Sequence, residues 1–307
     1  MKQKEFMDRL NLCFKTNEKD LTLLSNSVRA YRSRLLLHTI NTLSKTLSFF
    51  DFKDNIVFEQ NIPFIIIDNI KFLLNHQIYL KHTGKKYVSS CNESIKFLEH
   101  FNITPKNIID LGACWGEFSL FLGRRFPDSN IFSIEGSEKN FETLNINLEQ
   151  NKNLSRNIKS FNLIISDKDG FEEISDSVST VNALKSIINK DEITYKKIQS
   201  NKLETFVKNN KFEIDFLKID IEGSELKLLS DLKTTFSKSM QIELIHYNSI
   251  DLNIDFLEQL SENYNFYNPK GWTLLNMKDL KKIVKETLKI KPTIDVFLIN
   301  KNYNLKF

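Results

Sequence analysis

The stretch Asn107-Ile-Ile-Asp-Leu-Gly-Ala-Cys-Trp-Gly-Glu-Phe118 decides how the rest of the chain is read. Asn107 to Leu111 is a short apolar run with one carboxylate, Asp110. It runs straight into Gly112, Ala113 and Gly116, after which Phe118, Phe121, Leu122 and Phe126 recur at helical spacing. That order predicts strand, glycine turn and amphipathic helix. Glycines at such a turn let the backbone approach a ligand, and the helix that follows presents unpaired N–H groups. A small-molecule crevice at the end of a strand is the expected outcome.

The spacing separates two cofactor classes. A dinucleotide site uses GxGxxG to seat a pyrophosphate on the helix N-terminus. Here Cys114 and Glu117 stand where two of the glycines would be, and a glutamate at the helix start repels phosphate. The pattern DxGxxxG suits a phosphate-free ligand whose amino and carboxylate ends meet Asp110 and the loop N–H groups. S-adenosylmethionine has that shape. A second strand, Ser129 to Ile134, ends in Glu135-Gly136. Glu135 lies about 20 residues beyond the turn, the distance at which an acidic side chain reaches ribose hydroxyls.

Composition narrows the field. A chain of 307 residues accommodates one α/β domain with a large core and an accessory segment. Hydrophobic content of 41% and charged content of 27% are those of an ordinary globular protein. The net charge is only +4 and the lysines are scattered without interleaved aromatics, which argues against nucleic acid. Cys13, Cys91 and Cys114 fit neither a zinc site nor a disulfide framework, so they read as reduced thiols of a cytoplasmic protein. The first residues lack a secretory signal pattern, and the apolar stretch from Ile62 to Leu80 is broken by Asp68, Lys71 and His76, so no transmembrane helix is expected.

Along the chain, Leu21 to Phe50 repeats apolar residues at three and four and predicts a helix with Arg29, Arg32, Arg34 and Lys45 on its other face. It reads either as a cap on the main domain or a second copy of the chain, or as a peripheral membrane helix. One or two β-hairpins follow within 56–90, and a boundary near residue 85 divides an accessory segment, 1–85, from the main domain, 86–307. A helix from Ser94 to His100 leads to the first sheet strand. The third strand, Lys159 to Ile165, ends in Ser166-Asp167; Asp167 is read either as a receiver of an adenine amine or as a turn residue. The polar segment 171–202 is long for a connection, as substrate lids are.

The second chemical motif is Ile214-Asp-Phe-Leu-Lys-Ile-Asp220-Ile-Glu222-Gly223. Lys218, Asp220 and Glu222 alternate on one face, and charges inside an apolar strand are costly unless paired or at its exposed end. The fifth strand, Met240 to His246, brings Glu243 and His246 to the same sheet end. Two last strands, Tyr264 to Tyr267 and Ile294 to Asn300, are separated by Gly271-Trp272 and a helix from Leu280 to Leu288. Trp272 is either a pocket wall or a core residue.

These residues carry a family resemblance. Ile109-Asp-Leu-Gly-Ala-Cys-Trp-Gly116, Phe132-Ser-Ile-Glu-Gly136, the Asn-rich helix Phe141 to Asn151 and Phe216-Leu-Lys-Ile-Asp-Ile-Glu-Gly-Ser-Glu-Leu226 together resemble the FkbM family of S-adenosylmethionine-dependent methyltransferases. The resemblance spans roughly residues 105 to 245. It implies a Rossmann-like α/β fold with a seven-stranded sheet, one strand antiparallel, helices on both faces, and methyl transfer to a hydroxyl of a sugar, glycan or secondary metabolite. The family commonly has Asn at position 114 and Pro after the acidic residue at 135; this chain has Cys114 and Gly136.

Cofactor contacts are therefore expected from Asp110, Gly112, Ala113, Gly116, Glu135, Gly136, Asp167 and Asp220. A hydroxyl needs a base to become a nucleophile, and His246 is the first candidate, with Asp220 or Glu222 as the second. A divalent metal held by Asp220, Glu222 and Glu243 is the less favoured route to the same end. A homo-oligomer is compatible with the sequence. The rival classes are a non-catalytic partner subunit of the same fold and an NAD-dependent oxidoreductase.

Overall fold

The computed structural model describes residues 56–59, 62–73, 90–176, 182–187, 194–234, 237–245 and 248–304. The predicted helix over Leu21 to Phe50, the strand at Gln77 to Leu80 and His246 lie outside the described residues.

The centre is an eight-stranded sheet in the order β13-β12-β14-β11-β10-β4-β5-β6, formed by β4 (Asn107–Leu111), β5 (Asn130–Glu135), β6 (Ile158–Asn162), β10 (Ile214–Ile219), β11 (Ser237–Ile245), β12 (Tyr264–Asn268), β13 (Thr273–Leu275) and β14 (Thr293–Asn300). β6, β5, β4, β10 and β11 are parallel to one another, and β14 is antiparallel to β11 and β12. Those six and β12 are the seven strands expected, with β14 the expected antiparallel one. The correction is β13, a three-residue edge strand antiparallel to β12. Too short for periodicity to show, it follows the turn in which Trp272 takes a left-handed φ of +53°.

Neighbouring residues of single strands serve opposite cores. Ile108, Phe216 and Phe297 pack with α1 (Ser90–His100), α2 (Glu117–Arg125) and α3 (Glu138–Gln150) through Phe97, Phe121 and Leu144. Ile109, Leu217 and Leu298 pack with α4 (Leu203–Asn210), α5 (Leu229–Thr234), α6 (Ile250–Leu260) and α7 (Met277–Leu288) through Phe206, Leu232, Phe256 and Val284. Both faces are covered, which is why these strands read as continuous apolar runs.

Two smaller sheets are attached. β1 (Ile56–Glu59), β2 (Ile62–Ile67) and β3 (Ile70–Leu73) form an antiparallel meander whose Ile65, Ile70 and Phe72 share the core of Trp115 and Phe118. Asparagines at the end of α3 and just beyond it explain the meander's docking. Asn147 Oδ1 accepts from Leu73 N at 2.7 Å, and Asn151 accepts from Lys71 N at 2.9 Å and donates to Lys71 O at 2.7 Å. Their amides satisfy the backbone of β3 as a neighbouring strand would. The second small sheet pairs β7 (Ile164–Ile165) with β9 (Tyr195–Asn201) and β9 with β8 (Gly170–Ser175), the last two drawn from the segment expected as a lid. The predicted third strand is thus two: β6 stays in the central sheet, and after Leu163 the chain leaves it to pair with β9.

Candidate active site

The turn after β4 is wound tightly on itself. Gly112, Cys114 and Gly116 have φ of +74°, +51° and +79°. Gly112 and Ala113 both donate to Ile134 O at 3.0 Å, and Gly116 donates to Ala113 O at 2.8 Å. Cys114 N donates to Glu135 Oε2 at 2.8 Å. These N–H groups were expected to face a ligand; instead they close the loop onto the end of β5. The glycines are explained by packing. A Cβ on Gly112 would lie 1.8 Å from the Asp220 carbonyl oxygen, and one on Gly116 2.4 Å from Leu144 Cδ1.

Glu135 ties the turns after β4 and β5 together. Its Oε1 accepts from Ser137 N at 2.8 Å while Oε2 holds Cys114 N, leaving each oxygen a further lone pair. Burial pushes its pKa up to about 7, against the two backbone bonds and Lys218. Gly136 lets the β7–β9–β8 sheet close over this turn, since a Cβ there would stand 2.9 Å from Ile164 and Ile174. Asp176 fastens that sheet to the start of α3: its Oδ1 accepts from Ser137 Oγ at 3.0 Å and from Lys139 N at 3.2 Å. A carboxylate suits the positive end of a helix.

The charged groups meet at the ends of β10 and β11. Lys218 is buried and lies 3.3 Å from both Asp110 Oδ1 and Asp220 Oδ2, and it donates to Gly112 O at 3.0 Å. Burial opposes its charge, but Asp220 and Asp110 outweigh burial and raise its pKa. Ser119 Oγ donates to the other oxygen of Asp110 at 2.6 Å. Asp110, expected to meet a ligand's amino end, is completely buried, does not line the cavity and pairs with Lys218. β10 stops at Ile219, so the strand alternation does not reach Glu222, which sits in a turn with φ of +53°. Glu225 holds that turn by accepting from Ile221 N and Gly223 N, each at 3.1 Å. Burial, then Asp220 and Glu225, lift the Glu222 pKa to about 8. Burial, then the nearby charges of Asp220 and Asp295, lift the Glu243 pKa to about 9.

These turns border a cavity of about 650 Å³. Of the expected residues, Gly112, Ala113, Glu135, Gly136, Asp220 and Glu222 line it, and Glu243 joins them. Gly116 lies behind the wall, Asp167 is exposed beside Ser166 and off the cavity, and Trp272 packs on Phe97 and Phe297 at ring distances of 5.3 and 5.1 Å. Ile134, Leu163, Ile164 and Ile165 give an apolar wall, closed by Ile174 of β8 and by Asn182 and Leu184, the last bridged to Ile174. Asp176, Asn182 and Leu184 escaped the sequence reading because their roles depend on contacts with no local pattern. Among the described residues, no group of three or more His, Cys, Asp or Glu is gathered as metal ligands, and no helix is long and apolar enough to cross a membrane.

No curated protein matches the sequence. Solved structures of similar shape are remote. An O-methyltransferase from Bacillus cereus in complex with SAH is 12% identical with a TM-score of 0.40, over 73% of this chain and 88% of that one. Precorrin-6y C5,15-methyltransferase from Geobacter metallireducens GS-15 is 11% identical with a TM-score of 0.36, over 71% and 90%. The plantazolicin methyltransferase BamL, also with SAH, is 14% identical with a TM-score of 0.38, over 70% and 86%. Likeness at that level carries no argument. The methyltransferase FkbM domain, by contrast, matches residues 107–266, more than half of the chain and both turns that build the cavity. The chain belongs to the FkbM methyltransferase family and is an S-adenosylmethionine-dependent methyltransferase.

Proposed function

We propose that the protein transfers the methyl group of S-adenosylmethionine to a hydroxyl oxygen of a sugar, glycan or other secondary metabolite. The observation that carries this reading is the placement of Glu135 on the same cavity as Asp220 and Glu222, with an apolar wall beside it. The cofactor supplies a methyl group on a positively charged sulfur. Glu135 has lone pairs left for ribose hydroxyls, and Ile134, Leu163, Ile164 and Ile165 offer a surface for a flat base. Asp110 and Asp167 take no part in that arrangement. Aligning the acceptor oxygen with the methyl group is worth roughly 7 to 11 kcal/mol in well-oriented systems, so the rigid turns supply much of the catalysis.

The acceptor hydroxyl must lose its proton as the bond to carbon forms. We assign that role first to His246, which follows β11 in the sequence, and second to Asp220 or Glu222, both on the cavity, with burial lifting the pKa of Glu222 to about 8. Ile174, Asn182 and Leu184 are the residues we assign to selecting the acceptor, since they are the part of the cavity lining that comes from the segment read as a substrate lid. A cytoplasmic site of action agrees with Cys91 and Cys114 standing as thiols. The test is to incubate the full chain with S-adenosylmethionine and a panel of nucleotide sugars and free glycans, follow S-adenosylhomocysteine, and locate the new methyl group by NMR. Methylation of oxygen is expected, slowed at least tenfold in Glu222→Gln. Methylation of nitrogen or carbon would overturn the reading.

A further inference from the structure

The acids on the cavity wall outnumber its cations. Glu117, Glu135, Asp220, Glu222 and Glu243 line it, and Lys218 is the one basic side chain among the described lining residues. Lys218 is already engaged, since it is buried and lies 3.3 Å from both Asp110 and Asp220. Among the described residues no three of the acids come together as metal ligands. S-adenosylmethionine carries one net positive charge, so the wall holds more carboxylates than the cofactor and Lys218 match between them.

A second, independent observation points to what meets them. Ser224 stands two residues beyond Glu222 on the turn after β10, is 3% exposed and lines the cavity. Its backbone N–H donates to Ile221 O, but its Oγ has no hydrogen-bond partner. A buried hydroxyl without a partner is costly, and one on a cavity wall is completed by the guest. An ammonium has three N–H donors and no acceptor, which suits a carboxylate and a hydroxyl oxygen on one turn.

We propose that the acceptor carries a protonated amine, as an amino sugar does, and that Glu222 and Ser224 receive this amine while a hydroxyl of the same molecule is methylated. The inference rests on the oxygen-methylation reading above and names the class of acceptor for it. Burial, then Asp220 and Glu225, hold Glu222 back from ionising; a cation beside it reverses that, and an anion would add to it. Pairing with a carboxylate keeps the amine charged, and an ammonium has no lone pair with which to attack the methyl group. The methyl carbon therefore leaves sulfur for oxygen, the hydroxyl proton passes to the base, and the amine keeps its protons. With Glu222 engaged by the ammonium, the base is His246. A phosphate or carboxylate on the acceptor would find no unengaged cation among the described lining residues, so the same wall rejects anionic sugars.

Rates of S-adenosylhomocysteine formation by the full chain test this, with the methyl glycosides of glucosamine, galactosamine and mannosamine set against their N-acetyl forms, the parent hexoses and the uronic acids. At least one amine should exceed its N-acetyl, neutral and acidic counterparts by about tenfold or more in kcat/KM, with the new methyl group on oxygen. Glu222→Gln should bring that amine and its N-acetyl form within about twofold of each other, chiefly through KM, whereas loss of a base would slow both alike and keep their ratio. Ser224→Ala should narrow the ratio in the same direction if the first variant does not fold. Equal or faster turnover of the N-acetyl, neutral or acidic sugars, or no turnover of any amine, would overturn the inference and leave oxygen methylation standing. A methyl group on nitrogen would remove that reading and the inference with it.

Discussion

The turn after β4 and the turn after β10 press against each other where Gly112 meets the Asp220 carbonyl, yet they are built on different principles. The first satisfies its N–H groups with backbone oxygens and Glu135, and buries Ala113, Trp115 and Phe118. The second gathers Asp220, Glu222 and Glu225, and its shape depends on one carboxylate accepting from Ile221 N and Gly223 N. Both force residues into the left-handed region, which costs about 1–2 kcal/mol for each residue other than glycine. In the first turn the strain yields a rigid backbone; in the second it presents titratable groups to the cavity. Structure and chemistry are thus divided between two loops in contact, and Lys218 is the joint between them.

Breaking that joint should have the largest effect. Lys218→Met keeps the aliphatic stem but leaves Asp110, which is fully buried, without a cation. Removing one partner of a buried ion pair costs about 3–5 kcal/mol, because the remaining charge has no counterpart. Urea unfolding of the variant should show a loss of that size. A loss below about 1 kcal/mol would mean that the ion pair contributes little and that the two turns are held together by backbone contact alone.

The division between the turns explains what the sequence disclosed. Asp110, Glu135 and the Asp220–Glu222 pair stand at strand ends within apolar runs, where a charge is conspicuous, so the site was visible as a set of acids at one end of a parallel sheet. Their separate duties were not visible. Whether Asp110 faces a ligand or Lys218 depends on which side of β4 meets β10, a matter of register between strands more than 100 residues apart. The wall supplied by Ile174, Asn182 and Leu184 was hidden for the same reason, since the segment looked polar and its pairing with β7 is non-local. β13 was missed because three residues cannot display a period of two.

A second change probes the backbone contact itself. Gly112→Ala places a methyl group 1.8 Å from the Asp220 carbonyl oxygen at a φ of +74°. The obstacle is backbone and has no rotamer to escape into, so the two turns must separate. A loss of roughly 3 kcal/mol is expected from strain and overlap together. Binding of S-adenosylmethionine should weaken in parallel, since Glu135 and Asp220 would no longer hold their spacing. Stability reduced with cofactor affinity intact would show that the second turn keeps its shape without the first.

The smallest effect is the most informative about the first turn. Cys114 holds a φ of +51° with an ordinary side chain, and its Sγ accepts a 3.6 Å contact from Asn140 Nδ2. Asparagine is enriched several-fold in that backbone region because its short polar side chain bonds locally. The backbone bond from residue 114 to Glu135 survives substitution, as it uses only the N–H. Cys114→Asn should therefore relieve strain and raise stability by about 0.5 kcal/mol, read as a higher urea midpoint with an unchanged slope. Such a gain would be conformational, with no appeal to a contact with the cofactor. If stability instead fell while cofactor affinity rose, position 114 would belong with the acids of the second turn as a group that meets the ligand, and the division between the loops would have to be redrawn at Cys114.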